Sequence, residues 1–176
     1  SHAALLELAK ARDGSTRLVT TNFDTVFQWY IKRKKLNVPF YSAPQLPIPK
    51  NSRWNGLVYL HGLLPNNLDS AALNRLVFTS GDFGLAYLTE RWAARFVSEL
   101  FRNYTVCFVG YSLNDPVLRY MMDALAADRL QGETTSPIAY AFGQYEPGNE
   151  ALALVEWQAK VEEPILYQVR GNSHSA

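Results

Sequence analysis

The sequence is short of several things, and each shortage removes a class of function. It has one cysteine, Cys107, in 176 residues, so no disulfide can close within the chain and no cysteine cluster can hold zinc. Neither sign of charge is in surplus: 17 Lys and Arg stand against 16 Asp and Glu, a net charge of +1. Without a basic excess there is no electrostatic footprint for nucleic acid. No run reaches the roughly 18 consecutive apolar residues of a membrane span, and the N-terminus lacks a charged-then-apolar signal pattern. Histidine is scarce too: of the three, His2 and His174 lie near the ends, and no second His or Cys stands at ligand spacing from His61. A cytoplasmic protein with neither a nucleic-acid nor a membrane partner is expected, and no metal site.

What is present belongs to a globular protein. Hydrophobic residues make up 48% of the chain, aromatics 13% and charged residues 19%, far more apolar content than a disordered chain carries. One domain over residues 1–176 is expected. Leu5, Leu6, Leu8 and Ala9 predict a short helix, "RDGST" its end, and "RLVTT" a strand. Val26, Phe27, Trp29, Tyr30 and Ile31 predict a helix over 25–35, capped by Asp24 or Thr25, with the "KRKK" run at Lys32 to Lys35 offsetting its negative end. "GLVYLHG", "YTVCFVGYS", "PIAYAFG" and "PILYQVR" read as further strands, and "NEALALVEWQAK" as a helix. Such alternation predicts an α/β fold with a mostly parallel sheet.

Five finer expectations go with this pattern. The four prolines of Pro39 to Trp54 predict an extended loop without a ladder. "LVFTSGDFG" reads as a short strand, and Leu85, Leu88, Trp92, Phe96 and Leu100 as the core-facing stripe of one amphipathic helix. Cys107 reads as a small buried hydrophobe in a strand covered on both faces. Asp115 followed by Pro116 predicts the start of a helix.

In open parallel sheets ligands bind beyond the carboxyl ends of the strands. Three of the expected strands end in reactive chemistry there: "TTNFD" at Thr20 to Asp24, "YLHG" at Tyr59 to Gly62, and "VGYSLND" at Val109 to Asp115. Gly110 and a helix start at Asp115 suit an anion such as a phosphate, or an ordinary turn in which Ser112 and Asn114 bond their own backbone. His61, with an ordinary pKa of about 6.5, suits proton transfer near neutrality. Asn22 and Asp24 both suit turn formation and helix capping; that reading is the stronger for Asp24, whereas Asn22, after two threonines and before the large apolar Phe23, presents an amide beside a flat ring.

Together "TTNFD", "YLHG" and "VGYSLNDPVL" resemble the sirtuin-like family, in which a Thr-x-Asn-x-Asp strand end, a His-Gly and a Gly-x-Ser-Leu follow in that order. "FTSGDFGLAYL" and "ERWAARFVSELF" look most similar to its zinc-less bacterial branch. The resemblance implies a three-layer Rossmann-like fold and a site for NAD, consumed as a substrate. Asn22 would place the nicotinamide ribose or the attacking nucleophile, and His61 would act as general base. Thr21, Phe23 and Asp24 would line the nicotinamide pocket, and Gly110, Ser112 and Asn114 would approach the adenosine side. The implied reaction is hydrolysis of NAD to nicotinamide and ADP-ribose, and the implied setting anti-phage defence by NAD depletion.

Two departures from the family pattern shape the expectation. Deacylases of the family carry four cysteines between the His-Gly and the Gly-x-Ser strand, which one cysteine cannot supply, so an NAD-dependent protein deacylase is the lesser enzyme reading. The family's Gly-rich phosphate loop precedes the Thr-x-Asn-x-Asp strand, and only 16 residues precede Arg17 here, too few for a strand, loop and helix. The chain is therefore expected to be the latter part of a larger protein, inactive alone, and to self-associate through the sheet edge so exposed. Two other readings stand beside the hydrolase: a nucleotide-binding or interaction module without catalysis, and a serine hydrolase with Ser112 on a nucleophile elbow. The elbow motif requires glycine where Asn114 stands, which counts against the last.

Overall fold

In the computed structural model the described residues are 2–50, 54–64, 70–110, 139–159, 161 and 163–169. The chain divides into two units, Ser1–Val97 and Ser98–Ala176. Each holds a three-stranded sheet whose strand pairs are all parallel. Helices alternate with the strands, so the α/β, Rossmann-like architecture expected from the sequence is the one observed.

In the first unit α1 (His2–Leu8), β1 (Arg17–Thr20), α2 (Val26–Arg33), β2 (Phe40–Ser42) and β3 (Gly56–Tyr59) follow one another. β3 lies between the other two strands, and its four residues are all buried. Side chains alternate along a strand, so Leu57 and Tyr59 share one face. That face meets Leu6 of α1 and Phe27 of α2 in one apolar cluster, with Leu5, Leu18, Tyr30 and Ile31 around it. Burying each such large side chain contributes about 1.5–3 kcal/mol, which explains why α1 and α2 form although neither exceeds eight residues. His2 belongs to this packing, its ring edge-on to Phe27 at 4.5 Å.

The expectation of a ladder-free loop after Pro39 is corrected. Phe40, Tyr41 and Ser42 form β2, in register with Leu57, Val58 and Tyr59. Proline removes an N–H but leaves a carbonyl, and Pro39 uses its own to accept from the Leu57 N–H at 2.9 Å. The prolines flank the strand without interrupting it.

The strand read in "LVFTSGDFG" is also corrected. α3 (Ser70–Leu73) and α4 (Ser80–Phe83) are short helices. α4 opens with a capping box, Thr79 Oγ1 accepting from the Asp82 N–H and Asp82 Oδ2 accepting from the Thr79 N–H at 2.8 Å. The donors to that carboxylate, the Thr79 N–H first, then the Thr79 hydroxyl and the Phe78 N–H, hold it below its ordinary pKa. A π-helical segment, Gly84–Thr89, continues from α4, and α5 (Trp92–Asn103) starts only after Arg91, whose φ is +61°. The single amphipathic helix expected from Leu85 to Leu100 is thus two segments. Leu85 and Leu88 are 51% and 72% exposed, while Ala86, Tyr87, Ala93, Phe96 and Val97 are buried.

The division between the units falls within α5. In the second unit β4 (Val106–Phe108), β5 (Ala139–Tyr145), α6 (Glu150–Gln158) and β6 (Glu163–Gln168) form the sheet β4-β5-β6 with its helix. Gly143 lets the α6 helix approach β5 closely, since a Cβ there would come within 2.6 Å of the Trp157 indole. Cys107, expected to be buried, is exposed: an apolar run identifies a strand but not the cover over each of its faces. The helix expected from Asp115 lies outside the described residues.

Candidate functional site

β1 and β3 pair in parallel with Arg17 opposite Gly56 and Thr20 opposite Tyr59. Asn22 stands two residues beyond Thr20 and His61 two residues beyond Tyr59, so the register brings both to equivalent places at the carboxyl ends of neighbouring strands. Two backbone bonds tie the exits together. The Leu60 N–H donates to the Thr20 carbonyl at 2.9 Å, and the Leu64 N–H donates to the Phe23 carbonyl at 2.8 Å. Gly62 makes the turn after His61 possible: its φ is +98°, and a Cβ would lie 2.8 Å from the Leu76 side chain and 3.1 Å from the Arg75 carbonyl.

Within "TTNFD" the polar side chains divide their work. Thr20 Oγ1 accepts from the Asn22 N–H at 3.1 Å. Asp24 Oδ1 accepts from the Val26 N–H at 2.9 Å, satisfying a donor of the first turn of α2, while Thr25 at the N-cap position makes no side-chain cap bond. Asn22 itself is exposed, and Thr21, Phe23 and Asp24 are half-buried. The Phe23 ring meets Phe78 edge-on at 6.2 Å.

His61 is 6% exposed. Its Nε2 lies 3.0 Å from the Tyr87 hydroxyl, and its ring stands edge-on to Phe83 at 5.0 Å. Phe83 and Tyr87 stack on each other at 5.8 Å with 12° between their planes. The His61 carbonyl accepts from the Val77 N–H at 2.8 Å, joining the β3 exit to the segment that leads into α4. The sequence reading missed Tyr87, because the leucines beside it carried the helical stripe. A signal existed in the aromatic pair Phe83 and Tyr87, four residues apart and so neighbours on one helical face.

Tyr59, the last residue of β3, is fully buried, and its hydroxyl has no hydrogen-bond partner among the described residues. Burial, followed by the negative charge of Asp24, pushes its phenol up to about 12. Gly110 belongs to the second unit, follows β4 with φ +65°, and has open space where a Cβ would be. Ser112, Asn114 and Asp115 lie outside the described residues. Among the described residues no three His, Cys, Asp or Glu side chains converge as a metal site would require, and no helix is long and apolar enough to cross a membrane.

Residues 16–165 match the family described as "SIR2-like domain". The chain is also similar to a protein of Sinorhizobium fredii described as "Uncharacterized protein y4cA", with 34% identity over 181 residues. That match takes in 98% of this chain but 14% of the relative's length.

Proposed function

This chain belongs to the SIR2-like domain family, and from that premise we propose that it provides the NAD site of a protein that hydrolyses NAD to nicotinamide and ADP-ribose. The observation that carries the reading is the β1–β3 register. It supports the reading because residues 22 and 61 then follow neighbouring strands by the same two steps, at the carboxyl end where parallel α/β folds bind ligands.

The chemistry asked of these residues is modest. Breaking the bond between nicotinamide and ribose C1′ leaves positive charge on the sugar, and a water oxygen forms the new bond to C1′. Nicotinamide departs with the bonding electrons, and the proton lost by the water passes to His61. Asn22, exposed beside this point, orients the water or the ribose. Phe23 supplies a flat apolar wall for the nicotinamide, with Thr21 and Asp24 at its edge. Asp24 does so with Oδ2, since Oδ1 is committed to the Val26 N–H. Gly110, Ser112 and Asn114 are assigned to the adenosine side. Placement and exclusion of bulk water dominate such a reaction. Depletion of NAD in an infected bacterial cell is the setting that the family resemblance gives it.

In the full-length protein, Asn22→Ala or His61→Ala is expected to lower nicotinamide release by about a hundredfold or more, the range typical of a lost general base or its partner. Unchanged turnover would remove the residue from the mechanism. A second reading, nucleotide binding without turnover, draws on the burial of His61. Calorimetry separates the two: NAD or ADP-ribose bound by a full-length protein that releases no nicotinamide favours the second.

A further inference from the structure

The phenol that meets His61 has no part in the reaction just described, yet the chain goes to some length to bring it there. We propose that Tyr87 is the positioning residue of His61, its hydroxyl holding the imidazole in one ring plane and one tautomer. This rests on the assignment of His61 as the base of the NAD reaction.

Geometry gives the first argument. A 3.0 Å separation between Nε2 and the hydroxyl is hydrogen-bonding distance, and the two residues are 6% and 3% exposed. In the lower dielectric away from water such a bond is stronger than the same pair on the surface. The ring is braced from a second direction as well. Phe83 stands edge-on to the imidazole and is stacked on Tyr87, so the histidine cannot turn without disturbing an aromatic pair.

The backbone that carries Tyr87 gives the second argument. Gly84–Thr89 is π-helical, and the Glu90 N–H reaches back five residues to the Leu85 carbonyl at 2.8 Å. Such segments are less favourable than an α-helix and persist where packing requires them. Here the residues turned inward are Ala86 and Tyr87, while Leu85 and Leu88 stay exposed. Apolar burial alone would bury the leucines. The segment instead buries the residue whose polar tip matches the imidazole.

Chemistry gives the third. A neutral imidazole has one protonated and one basic nitrogen; with Nε2 engaged by the phenol, the nitrogen left to take a proton is Nδ1, which requires Nε2–H to donate and the Tyr87 oxygen to accept. A base whose ring exchanges tautomers presents its lone pair to the substrate only part of the time.

Tyr87→Phe keeps the stacked ring and removes only the oxygen. In the full-length protein labelled with 15N-histidine, with His61→Gln identifying the signal, the wild-type His61 nitrogens are expected to report a single tautomer and the Tyr87→Phe nitrogens an average of two. Turnover by the variant is expected to fall about tenfold to a hundredfold, the usual effect of removing a group that orients a functional histidine, with KM for NAD little changed. Tautomer populations that do not respond to the substitution overturn the proposal, and so does an unchanged kcat. A wild-type spectrum that already averages two tautomers overturns it without any variant, which covers the case of a Tyr87→Phe protein that fails to fold. Should the wild type release no nicotinamide, the hydrolase reading falls by itself, and the nitrogen shifts still decide whether Tyr87 holds the ring.

Discussion

Asn22 and Asp24 stand two residues apart in one polar knot, and the folded chain gives them different work. Asp24 spends an oxygen on the first turn of α2, as a capping residue does, while Asn22 uses its backbone N–H locally and leaves its side chain exposed. Sequence pattern pointed the same way, with capping the stronger reading for Asp24 and Asn22, between two threonines and Phe23, the better candidate for chemistry. Tyr59 shows the opposite case, an apolar-looking strand residue with a polar atom caught inside. Its buried hydroxyl has no partner of ordinary hydrogen-bond geometry among the described residues, and the Gln28 backbone gives it only a looser contact, so it carries part of the cost of about 1–3 kcal/mol of an unsatisfied polar group. Tyr59→Phe is therefore expected to hold or raise stability at neutral pH, measured by denaturant midpoint, and a clear loss would show that the hydroxyl is satisfied. The pH dependence follows in sign. A phenol raised from 10.0 to about 12 in the folded protein favours folding fully below pH 10, and that contribution disappears as pH rises through 12. The wild type should lose stability across that window more steeply than Tyr59→Phe.

Elements were legible where their period was unmixed. α1, β1, α2, β3, β5 and β6 stand where apolar spacing puts them; α6 also forms where it was read, although Leu152, Leu154 and Val155 stay exposed and Ala153 is its buried residue. The misreadings share a cause, in that a few residues with special bonding outweighed composition. A proline carbonyl supports β2. In α4, Thr79 and Asp82 bond each other's backbone, and two glycines that suggested a strand exit are carried inside and after a helix. That capping box also anchors the start of the π-helical segment. Thr79→Ala is expected to cost about 1 kcal/mol of stability and to speed amide exchange over 80–89, read by hydrogen exchange. Exchange there no faster than in the wild type would mean that packing, and not the cap, holds α4.

At the scale of the whole molecule, two units each complete a parallel sheet, and the chain matches 14% of the length of its rhizobial relative. The proposed activity therefore belongs to the full-length protein and is to be measured there. One cysteine in the chain cannot build the four-thiolate zinc site of the family's deacylases, and cleavage of a nicotinamide–ribose bond needs none. Nicotinamide release is expected to be the same before and after dialysis against a zinc chelator. A loss that zinc restores would overturn a metal-independent reaction.

The sequence by itself determined the class of the fold and the strands that end in "TTNFD" and "YLHG", since these depend on local period and residue type. Only the tertiary structure decided the rest. Strand register put positions 22 and 61 at equivalent places beyond neighbouring strands, a relation between residues 39 positions apart that no local pattern encodes. The π-helical segment chose Tyr87 over its leucine neighbours as the residue to bury against the imidazole. Which face of a helix turns inward is settled by what lies across from it, and here that was a buried histidine whose Nε2 meets the Tyr87 hydroxyl at 3.0 Å.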